Sequence, residues 1–114
     1  MMTLKQYYLN KLAEKCAEVA QRALKQVQFG AEQIQKGTEV KEGVAPPDKE
    51  AGLTNRERLD LEINDFLAVV DVLQDMDEVS IETEEHVNAH IDAKREKIQK
   101  YLKYSQELGT VENG

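Results

Sequence analysis

The sequence predicts an all-α fold of three main helices, and three observations carry that prediction. Ala, Leu, Val, Glu, Lys and Gln dominate, tryptophan is absent and only 5% of residues are aromatic, a mixture that favours helix over sheet. Long stretches of the chain repeat apolar residues at helical spacing. Helix-start and helix-stop residues bracket those stretches. With 114 residues, the chain is expected to form one small domain with a modest core.

The first helix is expected over Leu4 to Phe29. Thr3 suits its N-cap, Gln6 takes the capping-box position, and Gly30 follows as the C′ residue. Leu9, Leu12, Cys16, Val19, Ala23 and Val27 follow helical spacing and are expected to form its core stripe. Residues 30–53 contain Gly37, Gly43, Pro46, Pro47 and Gly52 in a polar context. They read as a long loop, with a helical turn near Glu32 to Lys36. A loop of that length in a small domain is either a functional lid or disordered.

A second capping box, Thr54-Asn55-Arg56-Glu57, opens a helix that reaches about Met76. After a short acidic connection, Asp77 to Ser80, a third helix is expected. Glu82, Glu84 and Glu85 suit its N-terminal end, and Lys100 and Lys103 its C-terminal end before Gly109. Residues 110–114 read as a flexible tail. The second helix is apolar nearly all round, and three helices cover it on one side only. Self-association into a homodimer or homotetramer that completes a four-helix-type bundle is the expected remedy.

Charge and composition narrow the function. A formal net charge of -7 argues against a nucleic acid polymer as partner, because phosphate contacts need a basic face. Cys16 is the lone cysteine, which excludes an intramolecular disulfide and fits a reducing compartment. The first residues, with Lys5, Lys11, Glu14 and Lys15, lack the apolar run of a signal peptide. No segment has the roughly 18 apolar residues of a membrane span. The expected location is the cytoplasm.

Candidate chemistry centres on the second helix. Asp60, Asn64 and Asp71 share one narrow face, the ordinary solvent stripe. Glu62 falls on the opposite side, flanked in projection by Phe66, Val69 and Leu73, and Asp65 lies between Val69 and Val72. Burying both acids unpaired is costly, and a divalent cation is the economical partner. The alternative is that a lysine, an arginine or a partner chain satisfies them. On the first helix Glu14 and Glu18 lie on adjoining turns, with Glu18 four residues before Arg22 at the spacing of a surface ion pair. On the third helix Lys94 projects among Val87, Ile91, Ile98 and Leu102. There it either snorkels past the core rim or binds phosphate, and Lys97 and Lys25 are weaker phosphate candidates. His86 and His90 stand four apart without a matching acid or cysteine motif and read as exposed residues. Cys16 reads as an inert packing residue, and the tyrosines as interface or core aromatics.

Glu14-Lys15-Cys16-Ala17-Glu18-Val19 and, beyond the loop, Glu62-Ile63-Asn64-Asp65 resemble the split acidic motif of the MazG-like nucleotide pyrophosphohydrolases. That all-α superfamily carries Glu-Glu-x-x-Glu on one helix and Glu-x-x-Asp on the next. The likeness extends to Gln28-Phe29-Gly30, similar to an Arg-Phe-Gly ending in phage-type members, to Asn55-Arg56-Glu57-Arg58-Leu59 and to Lys100-Tyr101-Leu102. It covers most of the chain outside the loop. The resemblance implies an oligomeric helical bundle in a bacterial or phage-infected cytoplasm. It also implies hydrolysis of a nucleoside triphosphate to monophosphate and pyrophosphate with Mg²⁺, or Mn²⁺ in its place. Carried over by position, Glu18, Glu62 and Asp65 are the metal ligands; Glu14 is read beside them as an outer ligand or water-orienting base, and Lys94, from its place on the third helix, as a phosphate contact.

The chain departs from the motif at Lys15, where the family has a ligand glutamate. The ammonium either takes the cation's place among Glu18, Glu62 and Asp65, or swings out and leaves a three-carboxylate site of reduced affinity. A weakened enzyme, an inactivated variant, and a repurposed nucleotide-binding or protein-interaction module all stay open at this point.

Overall fold

A computed structural model describes residues 1–35, 38–43, 45, 50–80 and 84–114. It contains three helices, α1 (Leu4–Phe29), α2 (Asn55–Asp75) and α3 (Glu84–Glu107). Among the described residues the sole extended pairing is an isolated bridge between Ile34 and Thr54. The chain divides into two compact units, residues Met1–Val79 and Ser80–Gly114. No helix is long and apolar enough to cross a membrane, among the described residues.

The first unit is an antiparallel helical hairpin of α1 and α2. Both helices start where side chains can satisfy their first backbone N–H groups. Thr3 Oγ1 accepts from the Gln6 N–H while the Gln6 side chain accepts from the Thr3 N–H, and Thr54 and Glu57 repeat the same reciprocal box. α1 stops at Gly30, whose φ of 93° lies in the left-handed region and whose N–H returns to the Gln26 carbonyl.

α1 does not bury the stripe that its periodicity predicts. Leu12 and Val19 are half-buried, but Leu9, Cys16 and Ala23 are exposed, and Val27 is 86% exposed. The half-buried residues on its α2 side include Lys15, Glu18, Arg22 and Gln26. The hairpin interface is therefore largely polar, and α1 has no buried residue. α2 follows the sequence pattern more closely. Asp60, Asn64 and Asp71 are exposed, Glu62 and Leu73 are buried, and Phe66 and Val69 are half-buried.

The loop is pinned to the hairpin where it is described. A turn at Ala31-Glu32 leads into the bridge at Ile34, in place of a helical turn; Lys36 lies outside the described residues. Asn55 N–H donates to the Gln33 carbonyl and Arg56 N–H to the Ala31 carbonyl, both at 2.9 Å. Farther on, Gly52 N–H donates to the Thr38 carbonyl at 2.7 Å, with Gly52 at φ 78°. A Cβ there would stand 2.7 Å from Val40 Cγ2, so the return of the chain requires glycine. Gly37, Pro46 and Pro47 lie outside the described residues, and with them that part of the lid-or-disorder alternative.

The second unit is α3 and the residues after it. Val87 and Leu102 are half-buried, whereas Ile91, Ile98, Tyr101 and Tyr104 are exposed. Glu82 lies outside the described residues. The tail folds back on the helix end: Thr110 N–H donates to the Ser105 carbonyl and Gln106 Nε2 to the Glu112 carbonyl.

Candidate functional site

Antiparallel packing brings the Lys15-to-Arg22 turns of α1 against the Arg58-to-Asp65 turns of α2, and charged side chains meet there layer by layer. In the first layer Lys15 Nζ lies 2.9 Å from Glu18 Oε2, 3.5 Å from Asp65 Oδ2 and 3.6 Å from Glu62 Oε2. Three carboxylates from two helices thus converge on one ammonium. Lys15 departs from the resemblance motif in sequence, and its ammonium takes the centre of the acids in space.

In the second layer the loop residue Glu50 enters the interface. Its Oε2 accepts from Arg22 Nη2 at 2.7 Å and from Arg58 Nη1 at 3.1 Å. Arg58, only 1% exposed, also donates to the Glu50 carbonyl, to Thr38 Oγ1 and to the Leu53 carbonyl. Such a fork of donors ties two loop segments to the first turns of α2. Arg22 turns to Glu50 rather than to Glu18, its partner by helical spacing.

Electrostatics single out Glu62, which is 4% exposed. Burial, then hydrogen-bond contact with the carboxyls of Glu18 and Glu50, pushes its pKa up to about 7. Its Oε2 is buried and accepts no hydrogen bond. Glu18 shifts the other way: the hydrogen bond from Glu62 and then that from Lys15 hold it below the usual carboxylate range. The hydrogen bond to Glu18, together with the three nearby carboxylates and against its own burial, holds the Lys15 ammonium above the usual lysine range. Fully ionised, Glu18, Glu50, Glu62 and Asp65 outnumber Lys15, Arg22 and Arg58 by one charge. A proton on Glu62 near neutrality restores the balance within this set.

A pH dependence follows. The folded-state pKa of Glu62 is raised, so the neutral acid favours the fold. That contribution is fully present below about pH 4.5 and is lost as the pH rises through about 7. Glu62→Gln is expected to flatten the stability profile across that window and to stabilise the metal-free protein at about pH 8 by on the order of 1–3 kcal/mol. Urea denaturation at several pH values checks this. Unchanged stability of the variant at the alkaline end would mean that the ionised form is better solvated than its burial implies.

Other sequence candidates fall elsewhere. Glu14 is exposed and pairs with Lys11 at 3.2 Å, apart from the carboxylates that meet Lys15. Lys25 lines an open cleft of about 590 Å³ at the end of α1. Lys94 and Lys97 are exposed on α3, in the second unit, as are His86 and His90. Cys16 is exposed rather than packed in a core, and borders an apolar groove with Val19, Ile63, Phe66 and Leu67. Tyr7 and Tyr8 make an edge-to-face pair with centroids 5.3 Å apart, and Lys11 stands over the Tyr7 ring.

Among the described residues, no group of three His, Cys, Asp or Glu side chains is arranged around a common metal position. The donor types nevertheless suit a hard cation. Glu18, Glu62 and Asp65 offer carboxylate oxygens from one pair of helices, one of those oxygens is buried without a hydrogen bond, and all three already approach the Lys15 ammonium. The Lys15 side chain remains 20% exposed on a flexible four-carbon stem, so its head can exchange into water. Comparison with protein-family profiles, curated proteins and solved structures finds no match for this chain.

Proposed function

We propose that this protein is a MazG-like nucleoside triphosphate pyrophosphohydrolase dependent on Mg²⁺, cleaving a (d)NTP to monophosphate and pyrophosphate. The observation that carries the reading is the convergence of Glu18, Glu62 and Asp65 on the Lys15 ammonium inside a helical hairpin. Those three residues would hold the metal once Lys15 swings out. When bound, Mg²⁺ supplies charge neutralisation at the polyphosphate and acidifies the attacking water. Glu62, whose burial favours the neutral acid near pH 7 in the metal-free hairpin, would give up that proton to hold the ion. Arg22, one turn from Glu18 and paired with Glu50, would add positive charge beside the polyphosphate. Glu14 has no part in this reading, because it stands with Lys11. Lys94 and Lys97 remain phosphate contacts only as their positions on the third helix suggest them.

Self-association belongs to the same proposal. A second copy would cover the groove of about 360 Å³ bordered by Cys16, Val19, Ile63, Phe66 and Leu67. It would also shelter the exposed Leu24 and Val27 of α1, since a bundle of four helices buries stripes that two helices leave in water.

Incubation of the purified protein with canonical and modified deoxynucleoside triphosphates and Mg²⁺ is expected to release pyrophosphate and the matching monophosphate. Glu62→Gln and Asp65→Asn are expected to abolish that release. Orthophosphate as the sole inorganic product excludes this reaction type.

The Lys15 ammonium favours a second reading on its own evidence. With Nζ 2.9–3.6 Å from all three acids, the chain is a nucleotide-binding or protein-interaction module whose lysine permanently replaces the metal. This reading predicts no turnover and a melting temperature that ignores Mg²⁺. The hydrolase reading predicts stabilisation by mass action.

A further inference from the structure

The acidic cluster has a counterpart farther along the same helix faces. Lys25 follows Glu18 by two turns of α1, and Asn55 precedes Glu62 by two turns of α2. Each pair therefore shares a face and is separated by about 10 Å along its helix axis. At that end, the last turn of α1, the residues after it and the start of α2 enclose the cleft of about 590 Å³. Its walls are braced. Asn55 Nδ2 donates to the Gly30 carbonyl at 2.9 Å, Asn55 N–H to the Gln33 carbonyl, and Gln26 Nε2 to the Asn55 carbonyl at 3.4 Å, while Ile34 bridges to Thr54.

The lining differs from the rest of this acidic chain. Lys25, Gln28, Phe29, Gln33, Ile34 and Gln35 face the cleft, with no carboxylate among the described residues that border it. Asn55 completes the lining, and beside it the carboxamides of Gln28, Gln33 and Gln35 offer donors and acceptors together without net charge. Phe29 and Ile34 add an apolar surface. Gln35 Oε1 is buried with no hydrogen-bond partner. One turn beyond Glu18, toward Lys25, stands Arg22, whose Nε is also buried without a hydrogen-bond partner.

We infer that this cleft binds the heterocycle of a nucleotide, stacked on Phe29 and read at its edge by the glutamine amides. Its sugar and phosphates then run past Lys25 and Arg22 toward Glu18 and Glu62. The inference rests on the polyphosphate reading of the acidic cluster and deepens it by assigning base recognition. A planar group with mixed donors and acceptors matches the carboxamides, whereas an anion would leave their acceptors unused. The cleft also falls in the size range of small-molecule sites. Stacking on one ring tolerates any base, so selectivity belongs to the amides.

The test titrates isotope-labelled full-length protein with the four 2′-deoxynucleoside 5′-monophosphates and, as a base-free probe, with tripolyphosphate. At least one monophosphate is expected to shift the side-chain amide resonances of Gln28, Gln33 and Gln35 in a saturable way, and tripolyphosphate to leave them in place. Phe29→Ala is expected to weaken the monophosphate roughly tenfold, and Gln33→Ala to change the order of preference among the four. Both side chains are exposed, and the backbone spectrum checks that each variant keeps the fold. Monophosphate binding that leaves the glutamine amides unmoved, or that Phe29→Ala does not weaken, overturns the inference. A parallel assay for pyrophosphate release separates the two claims. Turnover without amide shifts sinks the cleft and spares the hydrolase; amide shifts without turnover do the reverse; absence of both removes both.

Discussion

Replacing Lys15 with glutamate is expected to convert the hairpin into a protein whose stability depends on Mg²⁺ and whose pyrophosphate release rises at least about tenfold, the scale on which even an outer-shell partner alters metal affinity. In metal-free buffer the substitution removes the ammonium that Glu18, Glu62 and Asp65 share and adds a fourth carboxylate. Loss of one member of a buried ion cluster typically costs about 3–5 kcal/mol. Because the Lys15 side chain keeps 20% of its surface in water, about 2–4 kcal/mol is expected here. Added Mg²⁺ then restores stability in proportion to its concentration over its dissociation constant. Lys15→Met is the necessary companion, since it removes the ammonium without supplying an oxygen ligand and is expected to gain much less from the ion. Thermal melts of both variants in chelator and in Mg²⁺, alongside calorimetric titration of the metal, give the comparison. A Glu variant that melts at one temperature in both buffers would place the cation site somewhere other than these three acids.

Much of this arrangement was legible in the residues themselves, and what escaped has identifiable physical causes. Helix boundaries followed from capping boxes because those boxes are local: Thr3 with Gln6 and Thr54 with Glu57 satisfy backbone donors within one turn. Glu62 was visible as a buried acid because α2 is apolar on most sides and the solvent stripe of Asp60, Asn64 and Asp71 fixes its rotation. The core stripe of α1 misled because periodicity shows that a face is apolar without showing what covers it. Within one chain the polar face meets α2, and Leu24 and Val27 stay in water. Glu50 could not be found from sequence, since an aperiodic loop carries no register that would aim one acid rather than another inward. Arg58 did leave a trace. It sits one turn before Glu62 on the same face of α2, as Arg22 sits one turn after Glu18 on α1, and antiparallel packing turns those two spacings into adjoining layers. Reading charges across both helices together, rather than within each, would have shown it.

Arg58→Ala is expected to destabilise the first unit by about 3–5 kcal/mol, the largest effect of any single truncation in the hairpin. Arg58 makes no use of solvent: it donates to Glu50 Oε2 at 3.1 Å, to the Glu50 carbonyl at 2.8 Å, to Thr38 Oγ1 at 3.0 Å and to the Leu53 carbonyl at 3.4 Å. Truncation leaves a buried carboxylate with less positive charge beside it and frees acceptors on two loop segments at once. Lys at this position keeps the charge but loses the planar fork, so Arg58→Lys is expected to recover only part of the loss. The double variant Arg58→Met, Glu50→Gln removes both charges of this pair while an amide oxygen still accepts from Arg22 Nη2, and it is expected to be less destabilised than Arg58→Ala because no buried carboxylate loses a partner. Urea unfolding of the three variants measures the energies, and amide hydrogen exchange at Thr38, Gly52 and Leu53 reports whether the loop opens first. If Arg58→Ala unfolds at the wild-type denaturant midpoint while those amides stay protected, the loop is held by its backbone turns and the guanidinium is dispensable.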